Sequence, residues 1–287
     1  MGFNTADYLH ASIEAKKLAW ADRAAFYADP DRQHNAVAGA DELGEVWERL
    51  ASKAYGRRQA QRVDMTTAAT VVGEGTPMQH ATAVNKGEGD TIYAAFADEE
   101  GMMVSWIQSN FAGFGSKLSA PGTGFALQNR GSLFALQPPN HPNIFAPNKR
   151  PFHTIIPAFA LRDDKPWLAF GVMGGDFQSQ GQIQTFLNQV EFGMNPQEAG
   201  DAARWSHGGS QQPTGTKMED GGGVVTLETG VCEEVREELR QRGHIIGRAG
   251  PSTYGGYQCI RREEEEEGQI VYHGGTEMRK DGMVHGY

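Results

Sequence analysis

Residues 85–90, Asn-Lys-Gly-Glu-Gly-Asp, divide the chain into two kinds of sequence. Ahead of them the apolar residues recur at helical spacing. Behind them, from Thr91 on, short apolar runs alternate with turn residues, as strands do. Two glycines among polar side chains suit neither a helix interior nor a core strand. The fold is therefore a helical leader and a strand-built body joined by irregular chain. The joining segment opens upstream: residues 66–89 are rich in Thr, Ala, Gly and Lys, without a period. Few compact domains carry a connection that long, and such loops are functional or mobile.

In the leader, residues 4–28 read as a helix. Asn4 or Thr5 caps it, and Leu9, Ile13, Trp20, Ala24 and Tyr27 keep a helical period. Residues 42–54 read as a second helix. In the body, 91–97 and 102–108 flank Asp-Glu-Glu-Gly as a hairpin. Residues 124–128, 154–161 and 166–172 read as strands. A helix over 178–192 places Ile183, Phe186, Leu187 and Val190 on one face. Asn195, Pro196 and Glu198 have the spacing of a capped helix start. A strand at 224–227, a helix over 230–241 ended by Gly243, and a hairpin of 257–262 with 269–274 complete the body. Strands in runs and helices in separate runs predict a layered α+β fold.

The net charge of -10, with five glutamates at Glu263 to Glu267, argues against a nucleic-acid partner, which needs a basic face. No apolar run reaches the roughly 18 residues of a membrane span. The first residues lack the apolar core of a signal peptide, which favours a cytoplasmic location. Cys232 and Cys259 are too few for a disulfide scaffold and are expected as small buried hydrophobes. His10, His80, His141 and His207 show no ligand spacing, so neither a metal nor another cofactor is expected.

Four places can do chemistry. Thr91 is a weak nucleophile unless a base sits beside it; cleavage of the bond before it would make its own α-amine that base. It also suits a strand start as an ordinary β-branched residue. Gly174 and Gly175 lie between a strand and a helix, where backbone N–H groups can face a developing oxyanion; a tight turn where only glycine fits accounts for them equally well. Arg130 can hold a carboxylate through its two-pronged guanidinium, or lie on the surface. His153 and Thr154 lead from a polar segment into a strand.

The order of these pieces carries a resemblance. Asp90-Thr91-x-Tyr93 is followed by "SWIQSNFAGFGS", "PGTGFALQNRG", "NKRPFHTIIPA", "GVMGGD", "LNQVEFGMNPQEAGDAARW", "STYGGYQCI" and "GGTEMRKDGMVHGY". Along essentially the whole chain this resembles the γ-glutamyltranspeptidase family of N-terminal-nucleophile hydrolases. The resemblance implies a four-layer αββα sandwich. It implies a precursor that cuts itself between Asp90 and Thr91, with residues 1–90 as the end of a large subunit and 91–287 as a small catalytic subunit. The cut subunits would stay together as a heterodimer, open to further oligomerisation. Thr91 would attack an amide carbonyl, Ser109 would support its hydroxyl, and Gly174 and Gly175 would hold the oxyanion. The acyl group, γ-glutamyl or related, would pass to water or an amine, as in glutathione metabolism.

The pocket departs from the family's transpeptidases. Those enzymes hold the substrate α-ammonium with an acidic pair, where Ser132 and Leu133 stand here. Arg130 replaces a glutamine or glutamate, His153 and Thr154 replace paired serines, and Phe111 replaces an asparagine. Arg130, His153 and Thr154 are then the expected substrate contacts, for a small amide or peptide. The pattern is closer to the oxamate amidohydrolase and cephalosporin acylase branches. Family precursors are longer, and this chain starts inside their large subunit. The expected consequence is an incomplete sandwich with apolar sheet surface exposed, and the alternative role is an uncut binding or assembly module.

Overall fold

A computed structural model describes residues 1–30, 48, 50–73, 89–250, 253–265 and 268–287. The first helix, α1, spans Ala6–Phe26, and the Thr5 side chain accepts from the Tyr8 N–H at its start. Leu9 and Ile13 pack with Trp205, Val225, Leu227, Val231 and Leu239. The helix also buries polar side chains. Lys17 Nζ lies 2.7 Å from the Glu14 carboxylate, and Glu14 accepts from the Ala69 N–H at 3.1 Å. Burying such groups requires partners of this kind. The helix expected over 42–54 falls largely outside the described residues; α2, described nearby, spans Lys53–Ala60.

Strand β1, Gly89–Ala97, pairs antiparallel with β2, Met103–Ala112. The turn between them uses Gly101 at φ 94°. Thr91 is thus the third residue of its strand rather than the first. Strands β3, Ala158–Arg162, and β4, Lys165–Met173, begin a second sheet. Helix α3, Gln178–Val190, and helix α4, Pro196–Asp201, follow, and α4 carries the full capping box of Asn195 and Glu198. Strand β5, Trp205–Gly208, pairs with β6, Val224–Leu227, which runs parallel to β7, Ile245–Ile246, after helix α5, Glu233–Gln241. Strands β8, Gly256–Glu264, and β9, Ile270–Thr276, complete the second sheet in the order β3-β4-β8-β9.

The expected α+β layering is present. The β1–β2 hairpin packs on the four-stranded sheet, and α3 and α4 pack against that sheet as well. Hairpin and sheet meet closely because β4 has a glycine there: a Cβ at Gly171 would enter the Tyr93 ring. The Tyr93 hydroxyl lies 2.8 Å from Ser105 Oγ, which reaches the Phe170 carbonyl at 3.4 Å. Trp167, Leu168, Phe170, Val172, Phe177, Tyr254, Tyr257 and Cys259 form the adjoining core. Among the described residues, no strand or helix is paired with the other face of the hairpin. Ile92, Phe96 and Trp106 there are 58%, 57% and 53% exposed, an apolar row on one face of the hairpin.

Three expectations are corrected. Residues 124–128 form no strand: Gly122 and Gly124 take φ of 78° and 73°, and only a Ser119–Ala126 bridge forms. Cys232 is exposed at the start of α5, while Cys259 is buried. The buried face of α3 is polar, not the apolar row read from the sequence: Ile183 is 49% exposed, while Gln180 and Gln184 are buried. The reason is hydrogen bonding. Gln184 accepts from the Trp205 N–H and donates to the Trp205 carbonyl, and Gln180 does the same with His207. The two side chains thereby pair with β5 as a neighbouring strand would.

Candidate active site

Thr91 and Ser109 are direct cross-strand partners, and Thr91 Oγ1 donates to Ser109 Oγ at 3.0 Å. Thr91 is 8% exposed, on the same inward face of β1 as Tyr93. The ladder slips just before it. Gly89 pairs with Ala112 and Thr91 with Ser109, so two steps on β1 answer three on β2. The Asp90–Thr91 peptide bond lies inside this bulge. Bulges bend a strand and re-aim its side chains, and they favour active sites.

The bulge is held by specific groups. Phe111 sits at φ 78°, a conformation that costs a bulky residue about 1–3 kcal/mol. Its N–H donates to Ser109 Oγ at 2.9 Å. Ser109 Oγ thus accepts from both Phe111 and Thr91, using both lone pairs. Asn129 fixes the next residue, accepting from the Ala112 N–H at 3.0 Å and donating to the Ala112 and Gly115 carbonyls at 3.1 Å. The sequence reading missed Asn129. The cue available was its place between a glycine-rich turn and Arg130.

Gly174 and Gly175 follow β4 in a short turn, Gly175–Phe177, that packs against β1. Their φ values are 130° and 56°. At Gly174 a Cβ would lie 2.8 Å from Gly255 Cα, whereas the space at Gly175 is open. As first residue of the turn, Gly175 has no acceptor for its N–H within it. Helix α3 starts directly behind, adding its positive end. The glycine turn thus lies beside the strand that carries Thr91, and the Gly175 N–H has no partner within the turn.

Arg130 opens a single 3-10 turn, Arg130–Leu133, and is buried at 4% exposure. Its Nε donates to Thr154 Oγ1 at 2.8 Å, and one terminal nitrogen reaches the Ser109 carbonyl at 3.5 Å. The guanidinium also lies over the Phe111 ring, 5.6 Å from its centroid. Burial pulls its pKa below the ordinary arginine value. His153 is exposed, its Nδ1 3.3 Å from the Ile155 N–H. Desolvation and then the Arg130 charge lower its pKa. Thr91, Ser109, Arg130 and Thr154 thus form one hydrogen-bonded chain, with His153 at its edge.

Two polar clusters form away from this chain, each joining α1 to residues far along the sequence. The ligand atoms of His10, Glu14 and His244 lie within 4.8 Å of one another, close enough to share a cation. All three already have protein partners. His10 Nδ1 is 2.8 Å from His244 Nε2, His10 Nε2 donates to the Asp64 carbonyl at 2.7 Å, and Glu14 binds Lys17 and Ala69. Lys16 Nζ is 3.0 Å from His207 Nδ1 and 2.8 Å from Ser210 Oγ. Among the described residues no helix is long and apolar enough to cross a membrane.

Comparison with known proteins bears on family and fold. The family model for γ-glutamyltranspeptidase matches residues 1–287. The glutathione hydrolase-like YwrD proenzyme of Bacillus subtilis is 32% identical over 98% of this chain and 47% of its own. The oxamate amidohydrolase proenzyme of Klebsiella pneumoniae is 32% identical over 84% of this chain and 40% of its own. The crystal structure of cephalosporin acylase from Bacillus halodurans superposes with a TM-score of 0.77 at 37% identity, covering 99% of this chain and 45% of that one. A Helicobacter pylori γ-glutamyltranspeptidase structure matches with a TM-score of 0.55 at 25% identity, over 66% of this chain and 99% of that one. The chain thus spans less than half the length of the first three.

Proposed function

The chain belongs to the γ-glutamyltranspeptidase family, and on that premise we propose that it is the catalytic portion of a self-processing threonine amidohydrolase and acyltransferase. The carrying observation is the Thr91–Ser109 hydroxyl contact at a bulge that contains the Asp90–Thr91 bond. Thr91 Oγ1 attacks the Asp90 carbonyl carbon; the peptide C–N bond breaks, and its nitrogen takes the proton and becomes the α-amine of Thr91. Water then hydrolyses the resulting ester. This separates residues 1–90 from 91–287, which stay associated. The Helicobacter pylori match supports that division, since about two thirds of this chain accounts for nearly all of that one.

In turnover the freed amine takes the Oγ1 proton as the oxygen attacks a substrate amide, and delivers it to the departing nitrogen. Gly174 and Gly175 N–H groups receive the negative oxygen of the tetrahedral intermediate. The acyl-threonine ester is released by water as an acid, or by an amine as a new amide. Ser109 positions Oγ1 throughout.

The amidohydrolase and acylase reading is favoured over strict γ-glutamyl transfer. Leu133 is buried at 9% exposure, where the family's transpeptidases carry an acidic group. A substrate ammonium there would lose its water without gaining a counter-charge.

The deciding experiment is intact mass with N-terminal sequencing of the purified chain after incubation. A fragment beginning Thr-Ile-Tyr-Ala supports the proposal. A single uncut mass in a folded chain favours the binding or assembly module instead.

A further inference from the structure

Arg23 lies on α1, ahead of the proposed cut, and reaches the glycine turn behind it. Its Nη1 is 3.7 Å from the carboxylate of Asp176, the residue that directly follows Gly175. Gln212 closes a triangle with the two. Its side-chain oxygen accepts from Arg23 Nη2, and its Nε2 donates to Asp176 Oδ2 at 2.9 Å. The guanidinium also lies over two rings, 4.4 Å from the centroid of Trp20 and 5.5 Å from that of Phe152. Trp20 belongs to α1, and Phe152 directly precedes His153. The arginine is therefore shared between the upstream helix and the body.

Stability does not account for this arrangement. The Arg23 side chain is 13% exposed and that of Asp176 50%. A half-exposed ion pair contributes little, while taking a guanidinium out of water is costly. What the arrangement supplies is direction. The rings restrain the guanidinium, and its planar fork then presents donors along set lines.

The glycine turn needs such a hold. Gly174 is wedged against Gly255, but Gly175 meets open space on its own side. Asp176 has the next side chain that can fix the Gly175 peptide. Its carbonyl is held as well, accepting from Gln180 Nε2 at 3.2 Å. Asp176 also brings a cost. Its negative charge stands one residue from the N–H groups assigned to an oxyanion, and like charges repel. Arg23 supplies the offsetting cation.

We propose that Arg23 is a positioning residue for the reaction: it holds the glycine turn through Asp176 and offsets the Asp176 charge beside the oxyanion. The upstream piece then remains a working part of the site after the cut. This rests on the reading of Thr91 as nucleophile and of the glycine pair as its oxyanion site.

The test compares the full wild-type chain with Arg23→Gln, Arg23→Lys and the double variant Arg23→Gln/Asp176→Asn, with melting curves to confirm folding. Turnover is read on the p-nitroanilides of glutaric acid and of γ-linked glutamate. Arg23→Gln should lower kcat about 10- to 100-fold, the range that a misplaced group can cost. KM should stay nearly unchanged, because the loss falls on the transition state. Arg23→Lys should fall between, keeping the charge without the fork. The double variant should regain most of the lost kcat, a recovery that a merely structural arginine would not give. A second readout needs no substrate. The Phe177 and Gln178 N–H groups close the turn onto the Gly174 and Gly175 carbonyls, and hydrogen exchange at both should quicken in Arg23→Gln. A folded Arg23→Gln chain with wild-type kcat, or with wild-type exchange at those amides, overturns the proposal. So does a double variant as slow as the single one. If Arg23→Gln does not fold, Asp176→Ala cuts the same tie from its half-exposed end, and unchanged exchange there overturns the proposal equally. If wild type neither splits nor turns over either probe while the amides still respond to Arg23→Gln, the hold stands and the nucleophile reading fails. If wild type splits and turns over a probe but is indifferent to Arg23→Gln, the reverse holds.

Discussion

Thr91 and Ser109 face each other across one rung of the β1–β2 ladder, hydroxyl to hydroxyl at 3.0 Å. The contact links a residue beside the expected cut to one that stays fixed in the sheet. Thr91→Ala should stop both the split at Asp90–Thr91 and all turnover, leaving a folded chain of full mass. Thr91→Ser keeps a hydroxyl and should still split, more slowly. Intact mass over time reads both, and a Thr91→Ala chain that splits at the same bond would rule out the assigned nucleophile.

Ser109→Ala removes the acceptor for both Thr91 Oγ1 and the Phe111 N–H. A neutral hydrogen bond contributes about 0.5–1.5 kcal/mol, which corresponds to roughly a 2- to 13-fold slower split and turnover. Ser109→Thr retains the hydroxyl on a strand-compatible residue and should recover most of the rate. Equal rates for Ala and Thr at this position would remove Ser109 from the mechanism.

Adjacent glycines should respond differently to one methyl group. Gly174→Ala places Cβ 2.8 Å from Gly255 Cα at a φ of 130°, so overpacking and backbone strain combine to cost several kcal/mol. Gly175→Ala meets open space at φ 56° and should cost about 1–2 kcal/mol. Denaturant titration of both variants measures the difference. Comparable losses would mean that the turn is not held against Gly255.

Acid should destabilise the chain above the range where carboxylates titrate. Burial and then the Lys16 charge push His207 down to about 2, and burial pushes His244 down to about 3. Unfolded histidine titrates near 6.5. Below that pH the unfolded chain binds protons that the folded chain refuses, so stability is full above about 6.5 and is lost progressively towards the folded values. Each pH unit inside that window costs about 1.4 kcal/mol per histidine. Melting temperature should fall by several degrees between pH 7 and pH 5.5; a flat profile would contradict the buried neutral state of both rings.

Local signals in the sequence located much of this architecture. The Asn195-Pro196-x-Glu198 start, the strand at Val224–Leu227 and the hairpin after Asp90 rest on caps, periods and turn residues that lie within a few positions of each other. The roles proposed for Thr91, Ser109 and the glycine pair rest on an order of motifs that resembles a known family. What escaped depends on distant partners. The polar face of α3 was unreadable because Gln180 and Gln184 bond to a strand that begins at Trp205, itself too short to announce a period. Asn129 acts through backbone groups of another segment, and the Phe111 bend is a backbone conformation that residue type does not announce. The grouping of His10 with His244 is a product of tertiary packing alone.

Apart from the Gly89–Ala112 rung, the described groups that aim Thr91 come after it in the chain: the Tyr93 ring against Gly171, the Ser109 hydroxyl, the bent backbone at Phe111 and the Asn129 ties. Opening the peptide bond ahead of Thr91 would therefore release one end of the strand without loosening the grip on its neighbour. On the proposed cut, maturation would leave those contacts in place. The proposed cut would run one way, because water removes the ester and the part that holds the pose keeps the new terminus.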